Sequence, residues 1–244
     1  MLTKQTVSEQ FIHFFWRQPK QDLLHLIFPS KCILCSGEWP SNEPICSFCY
    51  EELQFTGFEN YTEPTELDTL FWGRVQLKSS FALLYFNQNS STQKILHALK
   101  YQNKPEAGRI LGKEIGLRLR KRADFNDVDV IVPVPLHPKK QFVRGYNQSE
   151  ELAKGVSEIT GIALDKTFIG KLKHTGSQTK QGRFGRWDNV ATNFSVNNKR
   201  TNYKHLMIVD DVITTGATLE AMILSIHEVL PELKISIVSL ALTK

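Results

Sequence analysis

No run of 18 consecutive apolar residues occurs in this 244-residue chain, so no segment is expected to cross a bilayer as a helix. The first ten residues, MLTKQTVSEQ, are polar and charged ahead of any apolar stretch, which does not read as a secretory leader. A cytoplasmic protein is therefore expected. There is no internal repeat. Two common phosphate-binding fingerprints are missing: no GKS or GKT follows a glycine loop, and no GxGxxG is found. Walker-type nucleotide hydrolysis and a dinucleotide fold of the usual kind lose their sequence support. Cysteine is scarce, with four in all, confined to residues 32–49. Acidic residues are outnumbered 25 to 30 by basic ones, a formal charge of +5. That excess weakly favours a polyanionic ligand, and ordinary enzymes carry as much.

Apolar periodicity divides the chain into four parts. Residues 1–30 carry Phe11, Phe14 and Phe15 at helical spacing, then Leu23, Leu24, Leu26 and Ile27, and predict a helical segment that stops before Pro29. Its aromatic face can pack on the rest of the chain, on a partner helix or on a membrane. Residues 31–55 hold the cysteines and read as a small module. Residues 56–78 are polar with scattered proline and glycine and read as a connection. Residues 79–244 alternate strand and helix signals. Strands are expected from near Phe81 and over 128–135, 205–211 and 235–242. Helices are expected over 91–122, broken by Pro105, over 147–159 with Asn147 as cap, and over 217–229. This alternation predicts an α/β fold, a mostly parallel sheet with helices on both faces. Between residues 170 and 189 lies a basic, glycine-containing loop.

The cysteines are spaced Cys32-x2-Cys35 and Cys46-x2-Cys49. Two such knuckles can surround one Zn²⁺ with four thiolates, leaving no open position for water, so the metal would be structural. A segment this short cannot bury its own core, and the metal would supply its folding energy. An iron–sulfur cluster uses the same ligands and stays open. Two disulfides fit poorly with a cytoplasmic chain.

The richest stretch is LMIVDDVITTGATL, residues 206–219. A hydrophobic strand is expected to end at Asp210 and Asp211, with a helix beginning after the loop. Ligands of open α/β sheets bind beyond the carboxyl ends of strands. Gly216 permits a tight turn. The backbone N–H groups and the hydroxyls of Thr214, Thr215 and Thr218 can surround a phosphate, aided by the positive end of the helix. Two aspartates would repel that phosphate but suit the vicinal hydroxyls of a ribose, or a divalent cation. A ribose 5-phosphate group satisfies both halves. Taken alone, the acids could be a polar strand end and TTGAT a plain helix cap.

IVDDVITTGAT resembles the 5-phosphoribosyl 1-diphosphate motif of type I phosphoribosyltransferases. LHALKYQNKPEAGRILG (96–112), VPVPLHPKKQFVRGYNQSEELA (132–153), QTKQGRFGRWDN (178–189) and HLIFPSKCILC (25–35) narrow the resemblance to the competence protein F-like (ComF) phosphoribosyltransferases of bacteria, over roughly residues 23–242. The resemblance implies a type I phosphoribosyltransferase core with an N-terminal zinc module, and a role in DNA uptake during natural transformation. It places Asp210 and Asp211 on the ribose hydroxyls, and Thr214, Thr215, Gly216, Ala217 and Thr218 on the 5-phosphate. Val134, Pro135 and Leu136 fall where the diphosphate loop is expected, with Mg²⁺ accompanying the diphosphate. Arg144 to Gln148 match the RGFNQ motif with Tyr146 for phenylalanine, Lys100 and Tyr101 match its LKY, and Gln178, Arg186 and Asn189 match the flexible segment. Gln181 and Asn193 depart from the pattern.

Phosphoribosyl transfer breaks the C1–O bond to diphosphate, so catalysis would be positioning and electrostatics. Arg144, Lys100 and Arg186 are the candidate catalytic cations, with Arg183 behind them. His137 could touch phosphate or merely cap a turn. Lys139, Lys140, Lys171, Lys173 and Lys180, interleaved with Phe142, Tyr146, Phe184 and Trp187, could form a path for single-stranded DNA, or only a solvated rim. Expected partners are 5-phosphoribosyl 1-diphosphate, single-stranded DNA and cytosolic DNA-uptake proteins. Three classes remain open: a transferase, a nucleotide- or DNA-binding module that keeps the pocket, and a scaffold.

Overall fold

The computed structural model describes residues 30–41, 43–171, 194–197 and 202–244. The helical segment expected over 1–30 and the basic loop with Gln178, Arg183, Arg186 and Asn189 lie outside them. Two compact units divide the chain, Met1–Tyr50 and Glu51–Lys244. In the first, β1 (Ser30–Lys31) pairs antiparallel with β2 (Glu38–Trp39), and α1 (Ser47–Glu51), which carries Cys49, begins inside the second knuckle and runs to the boundary between the units.

The second unit is α/β. Its elements run α2 (Glu66–Phe71), β3 (Ser79–Phe86), α3 (Ser91–Tyr101), α4 (Pro105–Leu119), β4 (Val130–Pro133), α5 (Pro138–Arg144), α6 (Gln148–Thr160), β5 (Ala163–Leu164), β6 (Ile169–Lys171), β7 (Phe194–Val196), β8 (His205–Ile213), α7 (Ala217–Val229) and β9 (Lys234–Thr243). The main sheet has the order β3-β9-β8-β4-β5, with every pairing parallel. β6 and β7 form a separate antiparallel ribbon.

Local chemistry sets the helix bounds. Ser90 caps α3 by accepting from Gln93 N at 3.3 Å. Pro105 begins α4, where its missing N–H costs nothing. Asn147 caps α6, as expected, and Gly161 ends it in the left-handed region. α4 and α6 approach backbone to backbone. A Cβ on Gly112 would stand 2.1 Å from Leu152 O, and one on Gly155 2.0 Å from Arg109 O. Only glycine lets α6 lie this close, and α6 delivers Ser149 to the site.

β8 and β9 carry buried residues at successive positions, Leu206 to Val209 and Ile235 to Leu242. Neighbouring strand residues face opposite sides, so both faces of the sheet centre are covered. β4 continues outward to β5, while β8 continues the other way to β9. The strand order therefore reverses between β4 and β8, where open α/β sheets take their ligands.

Two stretches differ from the sequence expectation. Within 56–78, Phe58, Leu67 and Phe71 are core residues, and α2 carries a capping box between Thr65 and Asp68. Residues 51–55, expected within the cysteine module, fall in the second unit: Leu53 is buried, Phe55 bridges to Leu84, and Tyr85 N donates to Gln54 O at 2.8 Å. Among the described residues no helix is long and apolar enough to cross a membrane.

Candidate functional site

β8 does not stop at the acids. It stays paired with β9 through Ile213, in register with Leu242, so Asp210 and Asp211 are strand residues rather than the strand end. The β4 side gives out earlier: the last β4 pair is Pro133 with Val209, followed by Val134 N donating to Val209 O at 2.9 Å. Past Val209 the acids occupy the crevice of the reversal point.

Because successive strand residues face opposite ways, the two carboxylates part company. Asp210 accepts from Ser149 Oγ at 3.0 Å and from Asp211 N at 2.8 Å. Asp211 Oδ2 pairs with Lys100 Nζ at 2.9 Å. Burial, and then the Asp211 charge, push Asp210 up to about 7, against the pull of the Asp211 N–H, Ser149 and Lys100.

A small open hollow is lined by Asp210, Val212, Ile213, Thr214, Thr215, Gly216, Ala217, Thr218 and Leu219. Every predicted residue of the Thr/Gly loop lines it, together with one of the two acids. Gly216, at φ +73°, stands at the start of α7 with no side-chain cap. The first N–H groups of α7 thus stand at a hollow with hydroxyls around it, an arrangement suited to an anion.

The RGYNQ segment is an internal tie. Tyr146, Asn147 and Gln148 are buried. Tyr146 Oη donates to Leu99 O, Gln148 Nε2 to Leu99 O at 3.3 Å, and Asn147 Nδ2 to Val134 O at 3.0 Å. These bonds fasten the end of α3, which carries Lys100, to the turn Val134–Pro135–Leu136 after β4. Arg144 donates to Gln148 Oε1 at 2.9 Å and lies 5.8 Å from the Tyr101 ring centroid. Neither Arg144, Lys100 nor Val134 to Leu136 lines the hollow itself. His137 caps α5, accepting from Lys139 N at 3.2 Å, the structural of its two expected roles. Lys171 is pushed down by burial and by the Lys140 charge, and pulled up by Asp210. Arg186 lies outside the described residues.

Sequence reasoning missed Arg74 and Phe71. Arg74 Nη1 donates to Thr215 O at 2.8 Å and to Leu70 O at 3.1 Å, and its Nε and Nη2 hold Glu220 of α7. A Cβ on Gly216 would stand 2.7 Å from Phe71 Cζ. The loop is braced from behind by residues that read as a connection. The only available signal was an aromatic ending a capped helix and an arginine three residues later.

In the first unit the four sulfurs lie within 4.8 Å of one another, with Cys35 Sγ and Cys46 Sγ 3.9 Å apart. A tetrahedral ion at about 2.3 Å from each sulfur needs S···S spacings of about 3.8 Å, so the thiols fit a structural metal. All four are free of disulfides. Burial opposes ionisation of Cys32, but backbone N–H groups, including those of Leu34 and Cys46 at 3.4 Å, bring it down to about 7.

No family model matches the chain. The chain is similar to competence protein F of Haemophilus influenzae, 27% identical over 193 residues, covering 76% of this chain and 80% of that protein. It is 31% identical over 128 residues to the DNA utilization protein YhgH of Salmonella typhimurium, covering 51% of this chain and 56% of that one. The YhgH protein of Escherichia coli K12 is 28% identical over 127 residues, again 56% of its length. The chain is thus similar to competence protein F and to the DNA utilization proteins YhgH. The chain spans about half the length of the YhgH relatives it matches.

Proposed function

We propose that this competence protein F-like chain binds 5-phosphoribosyl 1-diphosphate and transfers its phosphoribosyl group, in a role linked to DNA uptake. The observation that carries the reading is the hollow at the strand-order reversal. There one loop presents hydroxyls and the uncapped start of α7 beside a carboxylate. The 5-phosphate would take the Thr214–Thr218 loop, and Asp210 the ribose hydroxyls. Asp211 would join it only by releasing Lys100, whose ammonium would then be free for the diphosphate. Val134 to Leu136 would follow the leaving group. Mg²⁺, held with the diphosphate near Asp210 and Asp211, would neutralise charge developing on the leaving oxygen. The names of the relatives, which refer to competence and DNA utilization, are the support for the biological role.

Calorimetry with ribose 5-phosphate, and with 5-phosphoribosyl 1-diphosphate plus Mg²⁺, tests the pocket. Diphosphate release with candidate acceptors then tests transfer. Folded protein that ignores both ligands would refute the reading. In the first unit the metal would be zinc, at about one ion per chain by elemental analysis of protein purified under reducing conditions. Iron with sulfide would refute that choice.

A second reading is favoured by α5. This helix buries none of its residues and exposes Phe142 and Val143 beside Lys139 and Lys140. An aromatic among lysines suits single-stranded nucleic acid, where bases stack and phosphates are neutralised. On this reading the protein binds DNA and keeps the pocket without catalysis. Affinity for single-stranded DNA should then fall with salt, and replacing Phe142 with Ala should weaken it without changing ribose 5-phosphate binding.

A further inference from the structure

Arg74 holds Thr215 O, a backbone atom of the loop 141 residues further along the chain. It is not among the lining residues, yet its guanidinium is fully engaged. Nη1 reaches Thr215 O at 2.8 Å and Leu70 O at 3.1 Å, while Nε reaches Glu220 Oε2 at 3.1 Å. Phe71, buried in the core, backs the same turn and lies 5.6 Å from the Arg74 guanidinium carbon. The end of α2 and the turn after it therefore present a rigid apolar ring and a cationic fork to the turn between β8 and α7.

The consequence follows from peptide geometry. Among the described residues no peptide is cis, so the Thr215–Gly216 bond is trans and its C=O and N–H point in opposite directions. Arg74 fixes the carbonyl outward. The Gly216 N–H must then face away from Arg74, toward the hollow, while the next N–H, of Ala217, reaches Thr215 Oγ1 at 3.5 Å. Rotated by half a turn, the same peptide would aim a carbonyl oxygen at an anion and repel it. Arg74 also neutralises Glu220, an acid in the first turn of α7 that would otherwise oppose a phosphate there.

We infer that Arg74 is a positioning residue for the 5-phosphate, locking the Thr215–Gly216 peptide so that its N–H, and not its carbonyl, meets the ligand. The inference rests on the pocket reading above and adds to it a residue that touches no ligand. It explains why an arginine serves here: one planar fork satisfies two carbonyls and a carboxylate at once, which an ammonium cannot do with the same geometry.

The test uses the full chain with ribose 5-phosphate as probe, by calorimetry and by following the Gly216 amide resonance. Wild type should bind, with a phosphate-dependent shift of that amide. R74A should bind at least about tenfold more weakly and lose the shift, while its affinity for inorganic diphosphate with Mg²⁺ stays within about twofold. R74K should lie between R74A and wild type. R74A/E220A should regain only the small part of the loss that the freed Glu220 charge causes, and stay without the Gly216 shift, because removing the acid does not restore the peptide. Wild-type affinity in R74A would overturn the inference. Recovery of wild-type affinity and of the Gly216 shift in the double variant would also overturn it, reducing Arg74 to a counter-ion for Glu220. Should R74A fail to fold by thermal melting, R74K is decisive alone: wild-type affinity with an unchanged Gly216 shift rejects the lock. Wild-type protein that binds no ribose 5-phosphate would instead reject the pocket reading.

Discussion

The two ends of β8 carry similar chemistry and opposite access. At the amino end His205 Nδ1 meets Asp127 Oδ1 at 2.9 Å, and Nε2 meets Ser236 Oγ at 2.7 Å. Those are the three residue types of a nucleophilic triad, but His205 and Ser236 are buried. No substrate atom reaches the hydroxyl. Asp129 alongside accepts from Lys204 N and His205 N at 2.6 and 2.9 Å. Every polar group there has a partner, and the cluster seals the sheet. At the carboxyl end the loop residues Thr214, Thr215, Ala217 and Thr218 are exposed, and the start of α7 lacks a side-chain cap. A site is recognised less by its residue types than by which of their bonds are left for a ligand.

Gly216→Val should break the contrast most sharply. Its φ of +73° disfavours a β-branched residue, and the new Cβ would strike the Phe71 ring rather than the ligand. Left-handed strain alone costs about 1–3 kcal/mol, and the loop must shift in addition. Ribose 5-phosphate binding should vanish in titrations, while metal content stays unchanged. The converse change is His205→Ala. It leaves Ser236 and Asp127 without their partner, and an unsatisfied buried group costs about 1–3 kcal/mol. Denaturant unfolding should register the loss, with ribose 5-phosphate affinity of the folded fraction unchanged. A binding defect there would mean that the two ends are coupled.

Asp210→Asn with Asp211→Asn should weaken 5-phosphoribosyl 1-diphosphate binding with Mg²⁺ by about tenfold or more, since charge-assisted bonds contribute about 1.5–3 kcal/mol each. Inorganic phosphate should be affected less. Equal losses for both ligands would remove the sugar role of the acids. The ends should also differ in pH dependence, the smallest of these effects. Asp129 is held low by the N–H groups of Lys204 and His205, and Asp127 by its bond to His205. Their stabilisation is present above the ordinary carboxyl value and is lost as pH falls through their lowered values. Asp210 is raised to about 7. Its protonated form favours the fold at low pH, and that contribution is lost as pH rises from the ordinary carboxyl range through about 7. Asp129→Asn should thus melt below wild type at pH 7, with the gap closing in acid. Asp210→Asn should melt above wild type at pH 8, with that gap also closing in acid. Parallel profiles for the two variants would contradict the contrast.

What was legible in the sequence was local. Within 14 residues LMIVDDVITTGATL contains a strand, a turn that needs glycine and a helix start, and the loop formed where expected. The paired CxxC spacing likewise brings four sulfurs together, because each knuckle is closed by its own backbone. α7 matches its expected bounds, and α3 and α4 break at Pro105, because periodicity and proline act over a few residues. α5 was not legible, since a helix that buries nothing leaves no apolar period. Nor were β5, β6 and β7, which have two or three residues each.

The sequence by itself determined which chemistry stands at the site: hydroxyls, a glycine turn and two acids in a row. Tertiary structure decided how that chemistry is dealt out. Strand pairing past Val209 turned the acids to opposite faces, giving one to Ser149 and the hollow and the other to Lys100. Core packing of α2 set Phe71 and Arg74 behind the loop, a contact spanning 141 residues of chain. Local patterns could not reveal these pairings, because they depend on how strands order themselves in the sheet and which helix ends the core brings beside them.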